Sequence, residues 1–478
     1  MTATQLQTNG SRPARSERRI AFLVPRGEVV RNFGYSGALK LISQDASLSL
    51  LSVSTRSHPF DLEGVDGIFP LDEVMESWIV RIQREILEVA HGRWLWSRAA
   101  KERWKLRDNE ARTIKTKAKR YAKKTISRPF STKAGLNILS RTERASSRLF
   151  NVSHQYLDLY KRLRPSLVFN GSHVHSRNAI HAVQSAQWLG IPTATFIFSW
   201  DNLTSQGRII LPYDYFLVWN QSLKDQLIGM YDWIRPENVF VTGTPQFDFH
   251  FRPEFYVDRK EFCESIGADP ERPIVFYATG MANHMPGEPE IVEAIADMLN
   301  EAEPGGRPQL VVRVYPKDQT GRFEDLKRRR PDILFPEVEW ETEWLTPKFE
   351  DTYALVNTLR HCALGINVAS TISLELCMFD KPVINVGYNP RSVPESEISY
   401  SGYYEFDHYK PVVQSGAVTV ARSEQQMRDL IWGSLRNPEN GRAQRKKLID
   451  DMFGDTLDGN SSRRVAETLV RLAGRKNS

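Results

Sequence analysis

The sequence predicts an α/β protein of two doubly wound parallel-sheet domains facing across a cleft, with a basic helical insertion in the first. Three observations predict it. Short apolar runs alternate with amphipathic helical stretches in two separate series, a Pro- and Asp-rich stretch near Arg252 to Asp258 divides the series, and one long proline-free segment inside the first is dense in cations. A chain of 478 residues with 41% hydrophobic and 26% charged residues is long enough for two such domains and too apolar to be disordered. Glycine and proline, at 28 and 26, are near average usage, which excludes collagen-like and low-complexity architectures; no internal repeat suggests a solenoid.

Residues 1–18 are polar and basic, lack the apolar core of a secretory signal and read as a disordered leader. The first domain, 19–250, opens with a strand at Arg19 to Val24, a Pro-Arg-Gly turn, a helix near Asn32 to Ile42 and an apolar run from Leu48 to Val53. A helical insertion at about 71–163 follows, read as one long stretch to about Arg128 and a helix over Arg144 to Arg162. The rhythm then resumes with strands at Leu167 to Asn170, Thr193 to Phe198, Tyr215 to Trp219 and Val239 to Val241, and helices at Ser176 to Leu189 and Gln221 to Tyr231. The second domain, 259–478, carries strands at Ile274 to Ala278, Leu310 to Val314, Ala363 to Ile366 and Pro382 to Val386, and a helical tail from about Glu424. In open α/β folds the ligand lies at the carboxyl ends of the strands, so chemistry is expected on those loops.

The net charge of +6 conceals an asymmetry: residues 93–133 hold fifteen Lys and Arg against three acids. Trp94, Trp96, Trp104 and Tyr121 interleave with these cations. The segment reads either as a solvated helical face or as a patch that docks on an anionic membrane surface. Nucleic acid is not the expected partner, because no helix-turn-helix, RNP-like or zinc-finger pattern accompanies the charge. No run approaches the ~18 apolar residues of a membrane span. Cys263, Cys362 and Cys377 are too far apart for a disulfide framework or a cysteine zinc site, which fits a reducing compartment. The expected location is cytoplasmic, peripheral at the inner membrane face.

The strongest local signal is Gly365 to Ile384, GINVASTISLELCMFDKPVI: strand, small hydroxyl turn, helix, Lys-Pro and strand. Ser370 and Thr371 fall where the helix begins, a position whose unpaired N–H groups and dipole favour an anion. Glu375, one turn later, is placed to accept ribose hydroxyls; alternatively, Ser370 is only an N-cap and Glu375 a solvated acid. This stretch resembles the donor-nucleotide segment of GT-B-type glycosyltransferases, with Asp380 where the family has a small residue. VVRVYPKD (311–318) resembles the Arg-x-His-Pro segment of the CDP-glycerol glycerophosphotransferase and capsule-polymer transferase branch, with Tyr315 in place of the histidine. LDGNSSRRV (457–465) resembles that branch's D-G-x-x-S-x-R-V signature. In order and spacing, residues 165–248 parallel UDP-N-acetylglucosamine 2-epimerase, but this chain has GSHVH (171–175) and SWDNLT (199–204) where the epimerase has its catalytic G-D-x and E-A-G-x-R loops.

The resemblance implies two Rossmann-like domains in the GT-B arrangement and transfer of a sugar or polyol phosphate from a nucleotide-activated donor, UDP- or CDP-linked, to a lipid-linked or anionic glycan. It implies no separate cofactor. On the donor side it points to Ser370, Thr371 and Glu375, and to Arg313 and Lys317 as cations for a diphosphate or else plain surface charge; Thr279 and Gly280, read from their place after the strand that opens the second domain, either let backbone approach the donor phosphates or form only a turn. Asp201, in the place of the branch's histidine, is the expected base, or else an Asx-turn residue holding its loop. His173 and His175 are substrate contacts, supports for Asp201 or plain loop residues; with His181 they lack a neighbouring carboxylate, so no metal is expected. Arg26, Trp200 and Asn202 fall on the acceptor side. No Walker A segment or complete G-x-G-x-x-G occurs, which leaves nucleotide hydrolysis and dinucleotide redox chemistry without support.

Overall fold

A computed structural model describes residues 17–54, 64–174, 177–301, 307–341, 344 and 346–475. The chain divides into two compact units, 1–246 with 460–478, and 247–459. The first is built on seven parallel strands: β1 (Arg19–Val24), β2 (Ser47–Ser52), β3 (Val65–Pro70), β4 (Leu167–Asn170), β5 (Thr193–Phe196), β6 (Tyr215–Val218) and β7 (Val239–Val241), in the order β3-β2-β1-β4-β5-β6-β7. Strand order reverses between β1 and β4, so the loops leaving those two strands diverge and open a binding position. Beneath it, Phe22, Phe33, Phe169 and Phe196 meet edge to face, with centroids 4.9 to 5.7 Å apart.

Several elements differ from the sequence reading. β3 escapes it because this edge strand is half exposed and carries Gly67, so no apolar alternation marks it. The helix expected near Asn32 to Ile42 is a π-helical turn, Val30–Tyr35, followed after Gly37 (φ 84°) by a helix at Ala38–Asp45. The long helical stretch is three helices, Trp78–Leu95, Arg98–Glu110 and Ile114–Ile126. Left-handed Trp96 breaks the first junction and Ser97 caps the next helix by accepting from the Ala100 N–H at 3.0 Å. Thr113 and Thr116 form a capping box at the second. Buried Asn151 divides Lys133–Phe150 from His154–Leu163.

The second unit has a parallel sheet of β8 (Ile274–Ala278), β9 (Gln309–Arg313), β10 (Ile333–Leu334), β13 (Leu364–Asn367), β14 (Val383–Val386) and β15 (Thr419–Ala421), and a small antiparallel pair, β11 (Trp340–Glu341) with β12 (Thr346–Pro347). The main order is β10-β9-β8-β13-β14-β15, which places its switch point between β8 and β13. Val275, Val312, Ile366 and Ile384 form its buried centre.

Two assignments change at the boundaries. The stretch read as a linker is built into the second unit, where the Asn357 side chain accepts from the Val257 N–H (3.0 Å) and donates to the Phe255 carbonyl (2.9 Å). The helical tail stays with the second unit through Glu424–Arg436 and Arg442–Phe453 and then leaves it. Its last helix, Ser461–Ala473, buries Val465, Leu469 and Leu472 in the first unit, and Arg464 Nε donates to the Thr242 carbonyl at 2.9 Å. All three cysteines are unpaired and buried. No described helix is long and apolar enough to cross a membrane.

Candidate functional site

In the first unit the candidate groups lie on the loops after β1, β4 and β5. Arg26 follows β1 with its guanidinium 4.8 Å from the Phe198 ring centroid, and Nε donates to Glu28 at 2.8 Å. Glu28 is buried, so the charge offered to an anionic acceptor is already matched by a carboxylate that sequence reasoning missed. After β4, Gly171 N–H donates to the Leu23 carbonyl at 3.1 Å; a side chain there would press into Val29, at 2.6 Å. The His173 ring, through Nδ1, lies 3.2 Å from the Phe196 carbonyl oxygen and is thereby tied to the end of β5. His175 lies outside the described residues.

The Trp200-Asp201-Asn202 turn follows β5. Buried Asn202 accepts from the Ser199 N–H through Oδ1 at 2.9 Å, and Trp200 is buried, so both shape the loop. Half-buried Asp201 heads the short helix Asn202–Ser205. Its carboxylate accepts from the Ser205 hydroxyl and, at 3.4 Å, from the Asn202 amide. These bonds hold it much as an Asx-turn residue is held, yet they fill only part of what a carboxylate can accept. His181 sits away from these loops with Nδ1 3.2 Å from the Asn151 carbonyl oxygen, and burial lowers its pKa. Among the described residues, no three His, Cys, Asp or Glu converge on a possible metal position.

In the second unit, β8 ends in a braced loop. Thr279 Oγ1 accepts from the Tyr315 N–H (2.8 Å) and its own N–H donates to the Arg313 carbonyl (3.1 Å). The Gly280 N–H points to buried Glu288, 2.9 Å from Oε2, and a Cβ on Gly280 would lie 2.2 Å from Met285 Sδ. That N–H, offered by the sequence to donor phosphates, is therefore taken. Glu288 also accepts from Tyr277 (3.1 Å) and Arg322 (2.9 Å). Burial pushes its pKa up to about 7 against the pull of Arg322 and the Gly280 N–H. Arg313 is bonded to Asp351 at 2.8 Å, which also takes the Trp340 indole N–H at 2.6 Å. Lys317 is half buried on the loop after β9.

The loop after β13 is the most thoroughly supported. Asn367 Oδ1 accepts from the Ser370 N–H (3.1 Å), the Ser373 hydroxyl (3.0 Å) and Asn385 Nδ2 (3.1 Å). The Tyr409 hydroxyl completes the buried network 2.7 Å from Ser373 Oγ. Ala369, at φ 41°, turns the chain, and Ser370 Oγ accepts from the Ile372 N–H at 3.3 Å while keeping its own hydrogen to donate. Thr371 stands at the N-cap position of the seven-residue helix Ile372–Met378 and makes no side-chain capping bond to it.

Glu375 is not the solvated acid of the alternative reading. It is buried, and Oε2 lies 2.9 Å from Nε2 of His250, a ring stacked on Phe379 with centroids 5.5 Å apart. Sequence reasoning missed His250. At the departure from the family pattern, Asp380 takes a left-handed conformation (φ 54°) and binds Arg442 (2.5 Å) and Arg445 (2.8 Å). Burial pushes its carboxyl up, but those hydrogen bonds prevail and hold it below the usual range.

No protein-family model and no curated protein matches this sequence. Solved structures share its fold. UDP-GlcNAc 2-epimerase from Neisseria meningitidis bound to UDP-GlcNAc aligns over 95% of this chain and 100% of its own, at 12% identity and a TM-score of 0.52. The Methanocaldococcus jannaschii UDP-GlcNAc 2-epimerase aligns over 94% and 99%, at 10% identity and 0.51. A glycosyltransferase from Rickettsia africae aligns over 96% and 99%, at 11% identity and 0.50. The chain therefore has the two-domain α/β fold of GT-B and epimerase structures. At these identities the likeness establishes the fold alone.

Proposed function

We propose that the protein is a GT-B-type glycosyltransferase that moves a sugar or polyol phosphate from a UDP- or CDP-linked donor to a membrane-associated surface glycan. It would act without metal, on the cytoplasmic face of the inner membrane, with a lipid-linked or anionic acceptor. The observation that carries this reading is the loop after β13: a buried network holds the Ser370 backbone and Ser373, which sets Ser370 and its neighbour Thr371 at the head of the helix, and His250 holds Glu375 one turn further on. Ser370 keeps a hydroxyl hydrogen for a phosphate oxygen, and Glu375 keeps an oxygen for a ribose hydroxyl.

In this mechanism Asp201 accepts the acceptor hydroxyl's proton and the freed oxygen attacks the donor. The bond to the nucleotide breaks, and the charge left on it is met by the two hydroxyls and Lys317, with Arg313 contributing from its pair with Asp351. The test is thermal stability of the purified protein with UDP, CDP, CMP, GDP and ADP, for wild type and Glu375→Ala. One nucleotide at about 100 times its Kd should stabilise wild type by about 2.7 kcal/mol, and the variant should lose the shift. Asp201→Asn should keep the shift and lose turnover. Absence of a shift with every nucleotide would remove the reading.

Two other readings have an observation each. The epimerase neighbours favour a UDP-sugar epimerase or hydrolase, which would release product with no acceptor present. The pairing of Arg26 with Glu28 and Arg313 with Asp351 favours a non-catalytic assembly protein of surface polysaccharide synthesis, which would bind no nucleotide.

A further inference from the structure

We infer that the helical insertion, residues 75–152, is an interfacial docking surface that seats apolar side chains in the headgroup boundary of an anionic bilayer while its cations meet lipid phosphates. This rests on the membrane-surface part of the proposed function. It extends that part from charge alone to a two-component surface, and to residues outside the basic segment.

The first observation is where exposed apolar side chains fall. Among the described residues, twelve of the sixteen large hydrophobic side chains that are exposed lie within 75–152. Met75 is 93% exposed, Ile114 89%, Leu149 75%, Tyr121 70%, Trp78 65% and Phe150 53%. Isolated apolar side chains on a surface need no explanation, whereas their concentration in one insertion marks an interaction site. They are also brought together in pairs of segments. The Ser77 N–H donates to Asn151 Oδ1 at 2.9 Å, which joins the chain at Met75 and Trp78 to the chain at Leu149 and Phe150.

The second observation is how helix Ile114–Ile126 uses its charges. It has no buried residue. Arg120 and Lys124 turn inward to the Trp104 ring, at 4.8 and 5.0 Å, and to Asp108, at 2.9 and 2.5 Å; Lys123 reaches Glu85 at 2.8 Å. These three cations hold the helix down. Ile114, Ala118, Tyr121 and Thr125, spaced four, three and four apart, form an exposed stripe. Lys115 and Lys117 beside it are exposed and pair with no acid among the described residues.

A bilayer fits both halves. A helix that lies in the interface needs an apolar stripe for the acyl boundary and basic side chains for anionic headgroups, and each alone binds weakly. A second copy of this chain is the poorer occupant, because a two-fold contact would set the basic excess of 93–133 against itself. Nucleic acid would leave the aliphatic Met75, Ile114 and Leu149 without a partner, since bases stack on rings.

The test is co-sedimentation of the full chain with extruded vesicles of phosphatidylcholine alone and of phosphatidylcholine with phosphatidylglycerol, at about 0.1 M and about 1 M salt. Wild type should bind the anionic vesicles and retain part of that binding in high salt. A variant with Met75→Ser, Trp78→Ser, Leu149→Ser and Phe150→Ser should lose binding by at least about tenfold, and the part that survives salt should vanish. Lys115→Glu with Lys117→Glu should lose the preference for anionic lipid. All six positions are exposed, and an unchanged circular dichroism spectrum confirms folding. If the serine variant binds like wild type, the inference fails and a purely electrostatic membrane contact remains. If wild type ignores both vesicles, the membrane-surface reading fails with it, which would make the patch a protein interface. Nucleotide stabilisation, measured separately, reports on the donor reading and not on this surface.

Discussion

Glu288 carries a consequence that reaches beyond its loop. Its carboxyl is fully buried and its pKa lies at about 7 instead of the ordinary 4.5, chiefly because burial disfavours the charge. The folded state therefore holds this proton more firmly than the unfolded state does. The stability that follows is full below pH 4.5 and is lost as pH rises to about 7. The loss is of the order of 3 kcal/mol. Urea denaturation at the two ends of this window should show wild type weakening with rising pH and Glu288→Gln weakening less, by most of that amount. Equal slopes in the two proteins would show that the carboxyl ionises normally. The same residue shows why the site was only partly legible. A glycine after a strand signals close approach, but not whether a phosphate or the protein's own carboxylate approaches; at Gly280 it is Glu288. Glu375 was found through its spacing from Ser370 and Thr371, whereas His250 stands 125 positions away and no local pattern ties the two together.

At the scale of elements, the strands buried on both faces were legible, because a short apolar run between turn residues has few alternatives. The helical insertion was legible in kind and not in division. Its breaks depend on Trp96 turning left-handed and on caps at Ser97 and Thr113, which resemble ordinary helix positions until the partner N–H is known. Helix Ile114–Ile126 shows what this costs a sequence argument. Its cations read as one outward patch, yet Arg120 and Lys124 pack on Trp104 together with Arg93, 5.3 Å from the ring. Reversing those charges would test packing as much as docking. Trp104→Ala should release this helix, since it contributes no buried residue of its own. Three cation contacts at ~0.5–1 kcal/mol each predict a local loss of about 2 kcal/mol. Hydrogen exchange should rise by roughly thirtyfold across 114–126 and remain unchanged in β4 and β5. A rise of the same size in those strands would mean that the helix is integral to the domain.

At the scale of the whole molecule, the chain does not simply finish one domain and then build the next. Helix Ser461–Ala473 returns to the unit that opened with β1, and there Val465, Leu469 and Leu472 are buried beside the helix Ala38–Asp45. Sequence order suggested the opposite, because an amphipathic helix advertises that it has a partner without naming the sheet. One consequence is that the first unit lacks part of its core until residues beyond Gly459 are in place. Leu469 is fully buried, so Leu469→Ala should cost about 2–5 kcal/mol by removing apolar contact and leaving a cavity. If the units unfold separately, hydrogen exchange should accelerate in β1 and β4, which this helix covers, while β8 and β13 keep their protection. Equal acceleration in both sheets would show that the two units unfold as one cooperative structure, with the returning helix coupling them; a change confined to the last helix would show that it frays without serving either core.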